Sequence, residues 1–176
     1  VAYLLLGVGT LWLAFGVGGH SGFKLFYLLF LPIVWAASRQ GMAGAIAKAL
    51  KKGPVVLYFF PAAYTSGCTA EAHEFAEATP EFEKLGATVI GVTAGNIDRL
   101  KDFSKEHCRD KFAVAAADKA LVQRYDVALA VKPDWSNRTS YVIAPDGKIL
   151  LSYTDGNFMG HVQQTMGAVK AYKAKK

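Results

Sequence analysis

Residues 55–93 read VVLYFFPAAYTSGCTAEAHEFAEATPEFEKLGATVIGVT, and this stretch decides the fold. Its first six residues are wholly apolar, β-branched or aromatic, as in a strand buried on both faces. Residues 69–84 change to helical spacing. Ala72, Phe75, Ala76 and Phe82 form the apolar side, with Glu71, Glu74, Glu77, Glu81 and Glu83 expected outside. Thr79-Pro80 predicts a kink or a restart, with Thr79 as a cap and Pro80 in the first turn. Residues 87–92 (ATVIGV) form a second buried strand.

Downstream, the alternation continues. Residues 96–107 read as helix, 112–115 as a short strand and 118–125 as a short helix. Residues 139–144 and 148–153 flank Pro145-Asp146-Gly147, a turn sequence that predicts a β-hairpin. Residues 161–172 form a last helix. This order of elements is thioredoxin-like: an α/β fold with a central mixed sheet flanked by helices.

Upstream, the composition breaks. The chain has 176 residues, 52% of them hydrophobic and 19% charged. Residues 1–38 carry a single charged side chain, Lys24. Residues 1–19 and 25–38 are two uncharged runs around a glycine-rich break, close to the roughly 20 apolar residues that a spanning helix needs. The reading is an apolar N-terminal helical membrane segment over 1–38, folded as a hairpin. A single span with an interfacial segment and a signal peptide are its alternatives. Residues 39–53 are then a linker, with a short amphipathic helix or a tether at 41–50, and 54–176 the folded domain. Arg39, Lys48, Lys51 and Lys52 follow the second run, which places the domain on the cytoplasmic side or its organellar equivalent.

The composition excludes a disordered chain and a collagen, and two cysteines cannot build a disulfide framework. A net charge of +6 reads as a solvated surface, so no nucleic-acid partner is expected. Phe112, Trp135 and Tyr141 read as core or pocket wall. No Cys-x-x-Cys is present, and His73, His107 and Cys108 lack metal-ligand spacing.

The chemistry gathers at residues 61–71 (PAAYTSGCTAE), between a strand's carboxyl end and a helix, where open α/β sheets place their sites. Cys68 falls in the first helical turn. Free backbone N–H groups and the helix dipole there favour a thiolate, the reactive form. Position alone leaves two readings: a nucleophile, or a small buried apolar thiol.

Pro61, Thr65 and Cys68 form a Pro-x-x-x-Thr-x-x-Cys signature that resembles the peroxiredoxins. Thr69-x-Glu71 is similar to the bacterioferritin-comigratory, or peroxiredoxin Q, branch. The resemblance extends over about residues 51–174, through Asn137-Arg138-Thr139 and the hairpin. It implies a thiol-dependent peroxidase acting on hydrogen peroxide or organic hydroperoxides. Cys68 would be the peroxidatic cysteine, which becomes a sulfenic acid. Arg138 would lie beside the sulfur and stabilise negative charge. Thr65 would offer its hydroxyl to thiolate and peroxide, and Pro61 would shield the pocket. The N–H groups of Gly67 and Cys68 would bind the peroxide, and Glu71 would orient Arg138.

Position 73, five residues after Cys68, holds a histidine where the branch often has its resolving cysteine. Cys108 matches an alternative placement of that thiol. A one-cysteine enzyme and a merely buried Cys108 remain open. Ser66 stands where the branch usually has proline, and the family's N-terminal hairpin is missing or replaced. The implied partners are the peroxide, a thioredoxin-like or other thiol reductant, and the membrane through residues 1–38. A homodimer or a place in a membrane complex is also consistent with the resemblance, and no cofactor is implied. The alternatives are a catalytically silent peroxiredoxin-like subunit of a membrane complex and a membrane-tethered thiol-disulfide oxidoreductase.

Overall fold

The structure is a computed structural model, and it describes residues 42–175. The chain divides into two units, residues 1–45 and 46–176. The second unit holds the sheet. Residues 42–50 are helical, with Ile46 and Ala49 buried.

The elements run β1 (Val55–Phe59), α1 (Ser66–Lys84), β2 (Thr88–Thr93), a 3-10 turn (Ile97–Arg99) and α2 (Leu100–Glu106). Then follow β3 (Ala113–Ala116), α3 (Lys119–Arg124), β4 (Ala128–Leu129), β5 (Lys132–Ser136), β6 (Thr139–Ile143), β7 (Ile149–Thr154) and α4 (His161–Ala174). The main sheet has the strand order β3-β2-β1-β6-β7. β2 pairs parallel with both β1 and β3, whereas β6 pairs antiparallel with both β1 and β7. The mixed thioredoxin-like sheet is therefore present. Every residue of β1 and of β6 is buried, as the wholly apolar character of β1 requires, and β6 carries Thr139 and Ser140 into the interior with it.

Strand alternation sends Val56 and Tyr58 of β1 to one face, with Phe60 just beyond the strand. There they meet Phe75 and Phe82 of α1, Phe103 of α2, and Met166 and Val169 of α4. Tyr58 stacks on Phe75 at 4.2 Å between ring centroids. Each such fully buried large side chain contributes about 1.5–3 kcal/mol of transfer free energy. On the opposite face Phe59 packs on Tyr125 and Tyr141.

Three expectations change. α1 does not restart at Thr79-Pro80: it is one helix of 19 residues with Pro80 inside. Thr79 is buried, and its hydroxyl donates to the Phe75 carbonyl at 2.7 Å. Burial of Phe75 and Phe82 on either side of the proline outweighs the roughly 3 kcal/mol that an internal proline costs. A second sheet, β4 paired antiparallel with β5, was not expected. The third change concerns the membrane. The expected anchor over 1–38 lies outside the described residues. Among the described residues no helix is long and apolar enough to cross a membrane. The inferred membrane location and sidedness are corrected accordingly.

Candidate active site

β1 ends at Phe59, and α1 begins at Ser66. The six residues between them form a loop pinned to the exit of β2. The Thr93 hydroxyl donates to the Pro61 carbonyl at 3.2 Å, and Ala63 N–H donates to the Gly95 carbonyl at 3.1 Å. Asn96 Nδ2 donates to the Ala63 carbonyl at 2.9 Å. Gly95 is required at this crossing, since a Cβ there would fall 2.4 Å from the Pro61 oxygen. Tyr64 adopts a left-handed conformation (φ 63°) that turns the chain into the helix. Its ring packs edge-on against Phe103 and His107, with the Arg99 guanidinium 4.6 Å above it.

Thr65 is the N-cap residue of α1, and its hydroxyl donates to the Ala62 carbonyl at 3.1 Å. The hydroxyl thus braces the loop. The first N–H groups of a helix have no intrahelical acceptor. Those of Gly67 and Cys68 belong to this set, and Thr65 gives them no side-chain cap. Cys68 itself is 1% exposed.

Arg138 enters from the turn between β5 and β6 and is 8% exposed. Its Nη2 lies 3.5 Å from Cys68 Sγ, its Nη1 donates to Glu71 Oε2, and its Nε donates to the Gly156 carbonyl at 3.1 Å. Three directions of the planar fork are therefore fixed, which only arginine can satisfy. Gly67 leaves room for it: a Cβ there would sit 3.3 Å from Arg138 Nη2.

Glu71 was expected outside with the other glutamates of α1. It is instead fully buried. Cys68, Glu71, Ala72 and Phe75 share the inward stripe at helical spacing, and Arg138 supplies the charge that compensates the carboxylate there. Burial pushes the Glu71 carboxyl up to about 8, in spite of the opposing pull of Arg138.

Cys108 follows α2. It is fully buried in the same apolar cluster as Cys68, and both are free thiols. Burial pushes the Cys108 thiol up to about 12, with the nearby Asp110 charge adding to the effect. Arg109 and Asp110, immediately after it, both adopt left-handed backbone conformations. Of the aromatics read as core or pocket wall, Phe112 and Tyr141 are buried, and Trp135 is half-buried beneath Lys132 Nζ at 3.4 Å.

The structure thus brings together Cys68, Arg138 and Glu71, with Gly67 against Arg138 and Thr65 at the N-cap of the helix that carries Cys68, whereas Pro61 lies in the preceding loop, tied to Thr93. Sequence reasoning missed His161 and Ser140. His161 is fully buried, and its Nδ1 lies 3.8 Å from Glu71 Oε1 and 2.8 Å from Ser140 Oγ. Their only sequence signal was a polar residue in an apolar strand and a histidine opening the last helix.

The sequence matches the AhpC/TSA family over residues 39–152. It is 27% identical over 124 residues to peroxiredoxin Bcp of Xanthomonas campestris, covering 67% of this chain and 77% of that protein. It is 26% identical over 137 residues to the chloroplastic peroxiredoxin Q of Sedum lineare, covering 77% and 73%. A bacterial and a chloroplast peroxiredoxin are therefore among its relatives, which also does not support the membrane location. The crystal structure of peroxidoxin BcpB from Mycobacterium tuberculosis superposes with a TM-score of 0.65 at 28% identity, covering 72% of this chain and 84% of that one. The bacterioferritin comigratory protein of Xanthomonas campestris, studied for alkyl peroxide reduction, gives a TM-score of 0.60 at 26% identity, covering 72% and 83%. A match that begins before β1 and runs into β7, joined to the same fold in these solved relatives, places the chain in the AhpC/TSA family.

Proposed function

We propose that Cys68 is the nucleophile of this thiol-dependent peroxidase and that Arg138 is its electrostatic partner. The observation that carries this reading is the buried contact between Arg138 Nη2 and Cys68 Sγ at the start of α1. A permanent cation and unpaired helix N–H groups both favour sulfur in its anionic form. An inert buried thiol has no use for a buried guanidinium, so the contact supports an enzyme rather than a silent subunit.

The thiolate attacks the terminal oxygen of a hydroperoxide. The S–O bond forms as the O–O bond breaks, and the electron pair leaves on the other peroxide oxygen, the one that bears the hydrogen or organic substituent. That oxygen takes a proton and departs as water or an alcohol, leaving Cys68 as a sulfenic acid. In this reading the Gly67 and Cys68 N–H groups and the guanidinium stabilise charge on the departing oxygen. Pro61 and Thr65 hold the loop that walls the site. Glu71 orients Arg138.

Cys108 is the resolving thiol in this account. It attacks the sulfenic sulfur, water leaves, and a Cys68–Cys108 disulfide results, which a thioredoxin-like dithiol then reduces. A buried thiol held as far up as about 12 does not attack from its resting place. The segment after α2 must open first, and the two left-handed residues at 109 and 110 mark where the chain yields.

Peroxide consumption driven by a thioredoxin system tests both assignments. Cys68→Ser abolishes turnover. Cys108→Ser abolishes thioredoxin-driven turnover but keeps one peroxide equivalent of reaction at Cys68. Full turnover in Cys68→Ser overturns the first assignment, and full turnover in Cys108→Ser overturns the second.

A further inference from the structure

Behind the Cys68–Arg138 contact lies a second, wholly buried polar layer, of which the mechanism above uses only the Glu71 oxygen that faces Arg138. Glu71 Oε2 accepts from Arg138, whereas Glu71 Oε1 is buried and has no hydrogen-bond partner among the described residues. That oxygen faces His161 Nδ1 at 3.8 Å. His161 Nε2 lies 3.1 Å from the Asp155 carbonyl, which can only accept, so Nε2 carries a proton. Nδ1 is then the titrating nitrogen, and Ser140 Oγ lies 2.8 Å from it. The serine hydroxyl is a rotor. It donates to Nδ1 of a neutral imidazole and accepts from Nδ1–H of a protonated one, with no heavy atom displaced.

The pair is tied to the same loop as the arginine. Asp155 N–H donates to the Arg138 carbonyl at 3.3 Å, Arg138 Nε donates to the Gly156 carbonyl, and His161 holds the Asp155 carbonyl. The titratable and charged groups around it come from every neighbouring element. They are Cys68 and Glu74 on α1, Tyr58 on β1, Arg138 before β6, Tyr153 on β7 and Asp155 after it. Burial holds the imidazole below its ordinary range and the carboxyl above its own, so each group disfavours its charged form where the two face each other.

Charge balance gives this arrangement a purpose. With Cys68 as a neutral thiol, Arg138 and an ionised Glu71 cancel. With Cys68 as a thiolate, an ionised Glu71 would compete with the sulfur for one guanidinium and leave the buried set with an excess negative charge. A proton on Glu71 or His161 removes that excess.

We propose that His161, steadied by Ser140 and the Asp155 carbonyl, is a positioning residue that shares a proton with Glu71 while Cys68 is a thiolate, leaving the Arg138 charge to the sulfur. Ionisation of Cys68 and proton uptake by the Glu71–His161 pair are thereby linked, and linkage is reciprocal. The inference rests on Cys68 being the reactive thiol.

The test is the pH dependence of Cys68 thiolate absorbance, with the peroxide rate constant followed in parallel, for the full chain and His161→Gln. Glutamine keeps a donor for the Asp155 carbonyl and holds no shared proton. The substitution raises the Cys68 midpoint by about one pH unit, a roughly tenfold loss of thiolate below it. An unchanged midpoint and pH profile in folded His161→Gln overturns the proposal. Should that variant fail to fold, the His161 ring nitrogens are titrated by NMR in wild type and in Cys68→Ser. The midpoint of the pair falls when the thiolate is removed, and equal midpoints in the two proteins overturn the proposal. Loss of peroxide turnover in Cys68→Ser separates the two readings: if it is retained, the assignment of Cys68 fails, and if it is lost while His161→Gln titrates like wild type, only the linkage fails.

Discussion

Arg138 holds its Nη2 3.5 Å from the sulfur of Cys68, although 70 residues separate them in the chain. The arginine arrives at the start of a central strand, and the cysteine in the first turn of the helix that crosses it. The sheet order, with β1 next to β6, is what brings the two together.

Arg138→Met lowers the second-order rate constant for peroxide by roughly 10²–10³-fold, the cost of removing a preorganised charge-stabilising group. Arg138→Lys recovers little of this. An ammonium cannot serve Cys68, Glu71 and the Gly156 carbonyl from one plane. Stopped-flow mixing with hydrogen peroxide measures both variants.

Glu71→Gln changes the pH dependence of stability in a defined direction. The folded carboxyl titrates at about 8, against 4.5 as its ordinary value. Between these values the unfolded chain has lost a proton that the folded chain keeps. Stability from this group is therefore fully present below pH 4.5 and declines as pH rises toward 8. Urea unfolding at several pH values shows the gap between wild type and Glu71→Gln shifting against wild type over that range. A constant gap contradicts the assignment.

Native Cys108 resists alkylation. Its thiol is buried and pushed up to about 12, so iodoacetamide modifies it at a rate set by opening of the segment after α2. Mild urea accelerates the modification before global unfolding. Rapid labelling in buffer alone, followed by peptide mass spectrometry, would show that no opening is needed.

Gly95→Ala strains the site loop rather than the chemistry. The added Cβ meets the Pro61 oxygen at 2.4 Å and the Ala62 Cβ at 2.7 Å. Overpacking of this kind costs about 1–3 kcal/mol, seen as a lower urea midpoint. The peroxide rate falls with it, because Pro61 and Ala62 lead directly to the N-cap of α1.

The fold was legible where hydrophobic patterning was simple. VVLYFF and ATVIGV announced the buried strands, and Pro145-Asp146-Gly147 announced the hairpin between β6 and β7. A spaced signature singled out Pro61, Thr65, Cys68 and Arg138; Arg138 lies against Cys68, whereas the Thr65 hydroxyl, expected at the thiolate, donates to the Ala62 carbonyl. Glu71 was misplaced because its charge spoke for the surface, whereas its position three residues after Cys68 spoke for the interior. Only a partner 67 residues away settles that conflict. Pro80 misled for a similar reason: local cost predicted a break, and tertiary burial overrode it. The β4–β5 ribbon escaped notice because Lys132, Pro133 and Asp134 are exposed and carry no alternating pattern. His161 gave only the faint signal of a histidine opening the last helix, since its surroundings come from α1, β6 and the loop after β7.

The central claim is that Cys68 is the atom that takes oxygen from the peroxide. One equivalent of hydrogen peroxide is mixed with reduced Cys108→Ser protein in the presence of a sulfenic-acid-specific dione, and the peptides are read by mass spectrometry. The account predicts near-stoichiometric adduct on the peptide bearing Cys68, and none when Arg138→Met is added at the same short reaction time. An unmodified Cys68 peptide alongside consumed peroxide would contradict it.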